Sequence, residues 1–279
     1  MKLKTLSIIL ALAASSLTAL KGQTAEGDNI QRPVSSAWTI GAGSSHLADT
    51  YLTPLKYSGW TTSIAYERMQ ASKWRPTDWV TLLKVSADMD RTENPARNAT
   101  MWAAELHASW GMMRRWTLPY GIRAGVGPAL TIEGGCLYNE RNSNNPASAK
   151  GAVTVDAIGY AAMDVKLWGL PVTLRYQPSM PVVGAFFSPR YDELYYELYL
   201  GNHNGLVHPA WWGNRFKLNQ LITADLHFGS TALRLGYECD WMSSRISNIT
   251  TRMISHRFVI GVTVDWVSVR PGRSTIKPF

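Results

Sequence analysis

Past its N-terminal leader the chain is written in a period of two. Phe258, Ile260, Val262, Val264 and Trp266 alternate with Arg257, Val259, Gly261, Thr263 and Asp265. One face of this segment is apolar with an aromatic at each tip, and the other is mostly small, polar or charged. Leu233, Leu235, Tyr237, Cys239 and Trp241 interleave in the same way with Arg234, Gly236, Glu238 and Asp240. Trp102, Ala104, Leu106, Ala108 and Trp110 alternate with Ala103, Glu105, His107 and Ser109, and Tyr120, Ile122, Ala124 and Val126 with Gly121, Arg123, Gly125 and Gly127. A β-strand sends successive side chains to opposite faces, so each segment predicts a strand with one apolar side. No window beyond the leader approaches the run of about 18 apolar residues that a membrane-crossing helix needs.

The pattern predicts strands over 37–46, 58–70, 77–88, 100–112, 116–133, 153–167, 171–178, 216–228, 231–242 and 252–268. Several exceed the usual soluble strand of about five or six residues and are long enough to cross a bilayer when tilted. The connections 71–76, 113–115, 168–170 and 229–230 read as short, and 47–57, 89–99, 134–152, 179–215 and 243–251 as mostly longer. Aromatic tips and alternating short and long connections are habits of membrane barrels. The expectation is an all-β protein: a closed, antiparallel, up-and-down transmembrane β-barrel of about ten strands, with twelve as the alternative if 182–188 and 191–200 add a hairpin. Closure follows from the solvent, because an open sheet edge leaves backbone groups without partners in lipid. A soluble exported β-barrel also alternates and stays as a second reading.

Residues 1–22 read as a signal peptide: Lys2 and Lys4 precede an apolar stretch from Leu6 to Leu20, and Gly22–Gln23 is a plausible cleavage site. The expected organisation is a periplasmic N-terminal lead over 23–36, the barrel over 37–269 and a periplasmic tail over 270–279. Twelve Trp and twelve Tyr against six Phe favour a membrane–water boundary over an ordinary soluble core. The 28 basic and 20 acidic residues give +8, and three of the basic ones lie in the leader, leaving +5. That mild excess suits an anionic lipid surface. No basic run is interleaved with aromatics, so nucleic acid is not an expected partner. Cys136 and Cys239 stand far apart, in no metal-ligand spacing; they can form one bridge or be two unrelated thiols.

Four stretches of the C-terminal third carry a family resemblance. Phe187-Ser188-Pro189 running to Leu198, Gly213-Asn214-Arg215, Leu233-Arg234-Leu235-Gly236-Tyr237 and His256-Arg257-Phe258-Val259-Ile260-Gly261 resemble a family of uncharacterised outer-membrane barrels of Bacteroidetes-type bacteria. The likeness covers roughly the last hundred residues, and the leader's Lys-Gly-Gln ending is similar to export signals of that group. It implies an outer-membrane location and outer-membrane lipids as partners, and it carries no activity.

Candidate chemistry falls into three groups. Asp88 and Asp90, with Asp225 and His227, resemble the paired acids and Asp–His pair of omptin proteases, but the strand reading sets them at opposite ends of the barrel, where they cannot share one water. Ser255-His256 and His203 are the nearest candidates for an outer-membrane acyl hydrolase, and hydrogen-bond reach between base and nucleophile is what that reading requires. His203 and His208 lie five apart in a loop without further ligands, so no metal or cofactor is expected. The inward faces should carry Lys84, Glu105, Arg123, Asp164, Lys166, Arg175, Arg234, Glu238, Asp240, Arg257 and Asp265, paired or wet, in a lumen too narrow for a general porin. The connection 179–215 is a candidate binding loop through Tyr191, Tyr195, Tyr196, Tyr199, His203, His208, Trp211 and Trp212, with lipopolysaccharide or a surface partner protein as its ligand. The function expected is surface interaction, envelope structure or narrow transport, with an outer-membrane lipid acyl hydrolase or protease as the alternative.

Overall fold

A computed structural model describes residues 30–143, 145–189, 200–201, 205–266 and 274–275. The two-residue strand β1 (Ile30–Gln31) is followed by β2 (Val34–Asp49), β3 (Tyr57–Ala71), β4 (Trp79–Glu93), β5 (Thr100–Thr117), β6 (Arg123–Asn139), β7 (Ala147–Leu167) and β8 (Leu170–Phe187). A four-residue strand β9 (Val207–Ala210) precedes β10 (Arg215–Phe228), β11 (Thr231–Ile246) and β12 (Ile249–Trp266), and β13 (Ser274–Thr275) pairs parallel with β1. Every neighbouring pair from β2 to β8 and from β10 to β12 is antiparallel. β12 returns to β2, and β10 pairs with β8, so ten strands close on themselves. β9 only extends the margin of β8, so among the described residues no further hairpin joins the wall.

The strands are longer than their apolar stripes, because pairing continues past the apolar belt. This changes the rhythm of the connections. At the end that carries both termini the chain turns at 72–78, 118–122, 168–169 and 229–230; at the opposite end it turns at 50–56, 94–99, 140–146, 188–214 and 247–248. Only 188–214 is a long connection, so the expected contrast of short and long loops reduces to this one segment. Two boundaries differ from the sequence expectation for local reasons. The turn expected at 113–115 lies at 118–122, where Pro119 removes a donor and Tyr120 and Gly121 adopt left-handed φ of 61° and 72°. The longer connection expected over 243–251 is a two-residue hairpin turn in which Ser247 and Asn248 both have positive φ, 49° and 64°, as a tight twisted hairpin demands.

The barrel is apolar outside and polar inside. On β12 Phe258, Ile260 and Val262 are 77%, 55% and 47% exposed, whereas Arg257, Val259 and Thr263 between them are 3%, 6% and 2% exposed. In water this arrangement would cost free energy at every outward side chain. Against hydrocarbon, as in the outward apolar band of membrane barrels, that cost is removed.

Candidate ionic core and long connection

Two apolar layers lie inside the barrel. Met69, Val80, Leu82, Met113, Ile158 and Tyr160 pack together toward the end that bears the termini. Leu47, Leu52, Tyr57, Met101, Leu137, Met242 and Met253 pack at the opposite mouth. There Asn142 donates to the Leu52 carbonyl and Asn145 to the Tyr51 hydroxyl, which ties the 140–146 loop over the 50–56 loop.

Beside these layers runs a network of ion pairs. The guanidinium of Arg234 binds Asp225 in a bidentate fork at 2.7 and 2.8 Å and reaches Glu67 at 3.3 Å. Glu67 also accepts from Gln177 at 2.9 Å and faces Arg175 at 3.7 Å. Lys84 and Arg257 share Glu238, each at 3.3 Å, and Arg257 also binds Asp88. His107 stands among Asp88, Glu105 and Glu133 at 3.3–3.5 Å. Lys217 binds Glu133 at 2.7 Å and lies 3.8 Å from Asp240, and Arg215 closes on Glu133 from the same side. Nearer the termini Arg123 binds Asp164 in a fork, Thr173 donates to Asp164 at 2.8 Å, and His227 meets the Thr173 hydroxyl at 2.8 Å. A charge in a narrow, low-dielectric interior is tolerable only when paired and hydrogen-bonded. The strands accomplish this partly between neighbours, as in Arg234–Asp225, and partly by bringing together residues more than a hundred positions apart, as in Arg234–Glu67 and Lys84–Glu238.

The named lumen residues Lys84, Glu105, Arg123, Asp164, Arg175, Arg234, Glu238, Asp240, Arg257 and Asp265 therefore share one interior, with Asp265 at the mouth near the termini. Glu67, Glu133, Arg215 and Lys217 belong to the same network and were not among them, although the alternation of Tyr66 with Glu67 and of Phe216 with Lys217 already turns the charged residue inward. The interior encloses about 90 Å³ beside Lys84, His107 and Glu238, and a wider vestibule of about 550 Å³ lies at the terminal mouth beside Arg123, Thr173, His227 and Asp265. The two share no lining residue.

Neither catalytic pairing is assembled. Asp88 is engaged by Arg257 and His107 in the inner cavity, and Asp225 by Arg234 beside the vestibule, so the two acids line different spaces. Ser255 points inward at 8% exposure, while His256 points outward and bonds the Tyr237 hydroxyl at 2.6 Å. The strand splits that neighbouring pair between its faces. The two thiols are unbridged. Among the described residues no group of three metal-ligating side chains forms.

At the opposite end the long connection shows its two anchors. His208 approaches the Ser188 carbonyl at 3.2 Å and packs against Phe186 with ring centroids 5.7 Å apart. Trp212 donates to the Pro181 carbonyl at 2.5 Å, and Asn214 ties the turn by accepting from the Trp211 amide and donating to the Pro209 carbonyl. Trp211 and Trp212 still expose 60% and 55% of their surface. Tyr191, Tyr195, Tyr196, Tyr199 and His203 lie outside the described residues.

A closed ten-stranded wall with an apolar exterior and a paired ionic interior defines an outer-membrane-type β-barrel. The chain belongs to the family described as "Protein of unknown function (DUF3316)", whose model matches residues 4–273. No curated protein matches it. Among solved structures it is similar to the outer membrane protease OmpT from Escherichia coli, at 6% identity and TM-score 0.44, covering 88% of this chain and 99% of that one. Neisserial surface protein A (NspA) matches at 11% identity and TM-score 0.33, over 87% and 99% of the two chains. The transport unit of the autotransporter AIDA-I from Escherichia coli matches at 8% identity and TM-score 0.35, over 93% and 97%.

Proposed function

We propose that the protein is an exported, non-conducting barrel of the bacterial outer membrane that acts by surface interaction at its long-loop end. The observation that carries this reading is the filled interior. Most of its charges are paired with one another, and an apolar layer of Leu47, Met101, Leu137, Met242 and Met253 lies at the mouth opposite the termini. A conducting pore needs the reverse, a wet path with unpaired polar walls. The leader over 1–22 supports export, and its resemblance supports a host of the Bacteroidetes type. In that orientation the end bearing both termini faces the periplasm and 188–214 faces outward.

The apolar belt takes outer-membrane lipids as its standing partners. The exposed Trp211 and Trp212, with His208 and with Tyr191, Tyr195, Tyr196, Tyr199 and His203 of the same connection, offer stacking surfaces and hydrogen-bonding edges to lipopolysaccharide or a surface partner protein. Planar-bilayer recordings test the first half: the folded protein should give no stepwise conductance, and steady single-channel steps would overturn it. Binding of purified lipopolysaccharide tests the second half. Trp211→Ala with Trp212→Ala should weaken it about tenfold or more if these rings anchor the ligand.

A further inference from the structure

We propose that the terminal end of the barrel carries a binding site for an anionic phospholipid headgroup, built on β3, β4, β5 and the 72–78 turn. The site is a contiguous row of alternating cations and indoles. Arg75 lies over the Trp74 ring at 5.1 Å, and Trp74 packs against Trp79 with centroids 6.1 Å apart. Trp79 stands across the β4–β5 ladder from Arg114, and Arg114 lies over Trp116 at 5.7 Å. Lys73 and Arg68 flank the row, and Arg68, Lys73, Arg75 and Arg114 are all exposed. Among the described residues none of the four forms an ion pair, and the exposed acid of the turn, Asp78, neutralises none of them.

The other rim shows what a satisfied girdle looks like. There Arg91 also lies over an indole, Trp102, at 5.7 Å, but it pairs with Glu93 at 3.1 Å, and the Trp102 indole donates to Glu140 at 2.8 Å. At the terminal rim the indoles hold the guanidinium groups in place, while no carboxylate answers them. Leu83 and Trp110, outward on the same strands, place the row at the border of the apolar belt. A group that fits there has acyl chains lying on that belt and a phosphodiester among the cations. Guanidinium groups match phosphate oxygens in geometry and charge, and indoles favour the headgroup level.

The inference does not depend on what the long connection binds. Its test uses the folded full chain in mixed micelles of phosphatidylglycerol and phosphatidylcholine, with retained lipid read by native mass spectrometry. The wild type should retain phosphatidylglycerol preferentially. Arg75→Gln or Arg114→Gln should each lower that preference about fivefold, and the double variant about 25-fold, the factor that follows from about 1 kcal/mol per basic residue at an anionic surface. Arg252→Gln, at the opposite rim, should leave it unchanged. Equal retention of the two lipids by the wild type, or an undiminished preference in the double variant, would overturn the proposal. Displacement of the retained lipid by millimolar inorganic phosphate would overturn it too, by showing a site for free phosphate in place of a lipid.

Discussion

Arg234 is 1% exposed and is shared by two acids from different strands, Asp225 on β10 and Glu67 on β3. Removing it would leave both carboxylates buried, with Gln177 still donating to Glu67 and Arg175 at 3.7 Å from it. Arg234→Leu should therefore lower stability by about 3–5 kcal/mol, the usual cost of breaking a buried pair from one side. Urea unfolding of the barrel refolded into lipid vesicles measures it, and a loss below about 1 kcal/mol would show that water reaches these acids freely. The two faces of β12 give a second contrast. Ile260 stands mid-stripe on the outside, so Ile260→Arg should cost about 2–4 kcal/mol in a bilayer. Thr263 borders the 550 Å³ vestibule, where a new cation can find Asp265, so Thr263→Arg should cost less. Equal penalties would mean that the outward face is not in lipid.

At the scale of elements, the tightest test is the β11–β12 turn. Ser247 has a left-handed φ of 49°, which costs an L-residue about 1 kcal/mol and glycine nothing. Ser247→Gly should raise the urea midpoint slightly and Ser247→Val should lower it; the opposite order would show that the turn is open in solution. This turn also shows how far the sequence can be read. Which residues face outward on β5, β11 and β12 was legible, because a period of two fixes the face as soon as a strand exists. The strand ends were not legible. Pairing runs past the apolar stripe at Ser243–Ile246 and at Gly134–Asn139, where the sequence lacks an alternation with the apolar residues on the outward face. The ionic partners were not legible either. Arg257 with Asp88 and Lys84 with Glu238 meet across the lumen, a relation set by the closure register between distant strands. No local pattern encodes it.

For the whole molecule the decisive property is that the ten-stranded wall closes on itself. The ladder of β12 with β2 runs from Thr251 opposite Asp49 to Trp266 opposite Val34, and β10 with β8 seals the other junction. A detergent that melts an open sheet from its margin finds little margin to attack here, because each of the ten wall strands has a neighbour on both sides. Unfolding must break the wall together with the ionic core inside it, so the barrier should be high and the barrel should survive dodecyl sulfate at room temperature. The compact folded form should run at a different gel mobility from the boiled chain, and the native protein should fractionate with outer membranes. Cys239 supplies an independent reading. It stands outward between Tyr237 and Trp241, half-exposed and unbridged. In a bilayer a lipid-soluble maleimide should reach it, whereas a charged, membrane-impermeant one should react only after boiling. A soluble exported barrel would give the reverse: one gel band before and after heating, recovery without detergent, and immediate reaction of Cys239 with the charged reagent. That combination would remove the membrane from the account, and with it the only environment in which so apolar an exterior around so charged an interior is the low-energy arrangement.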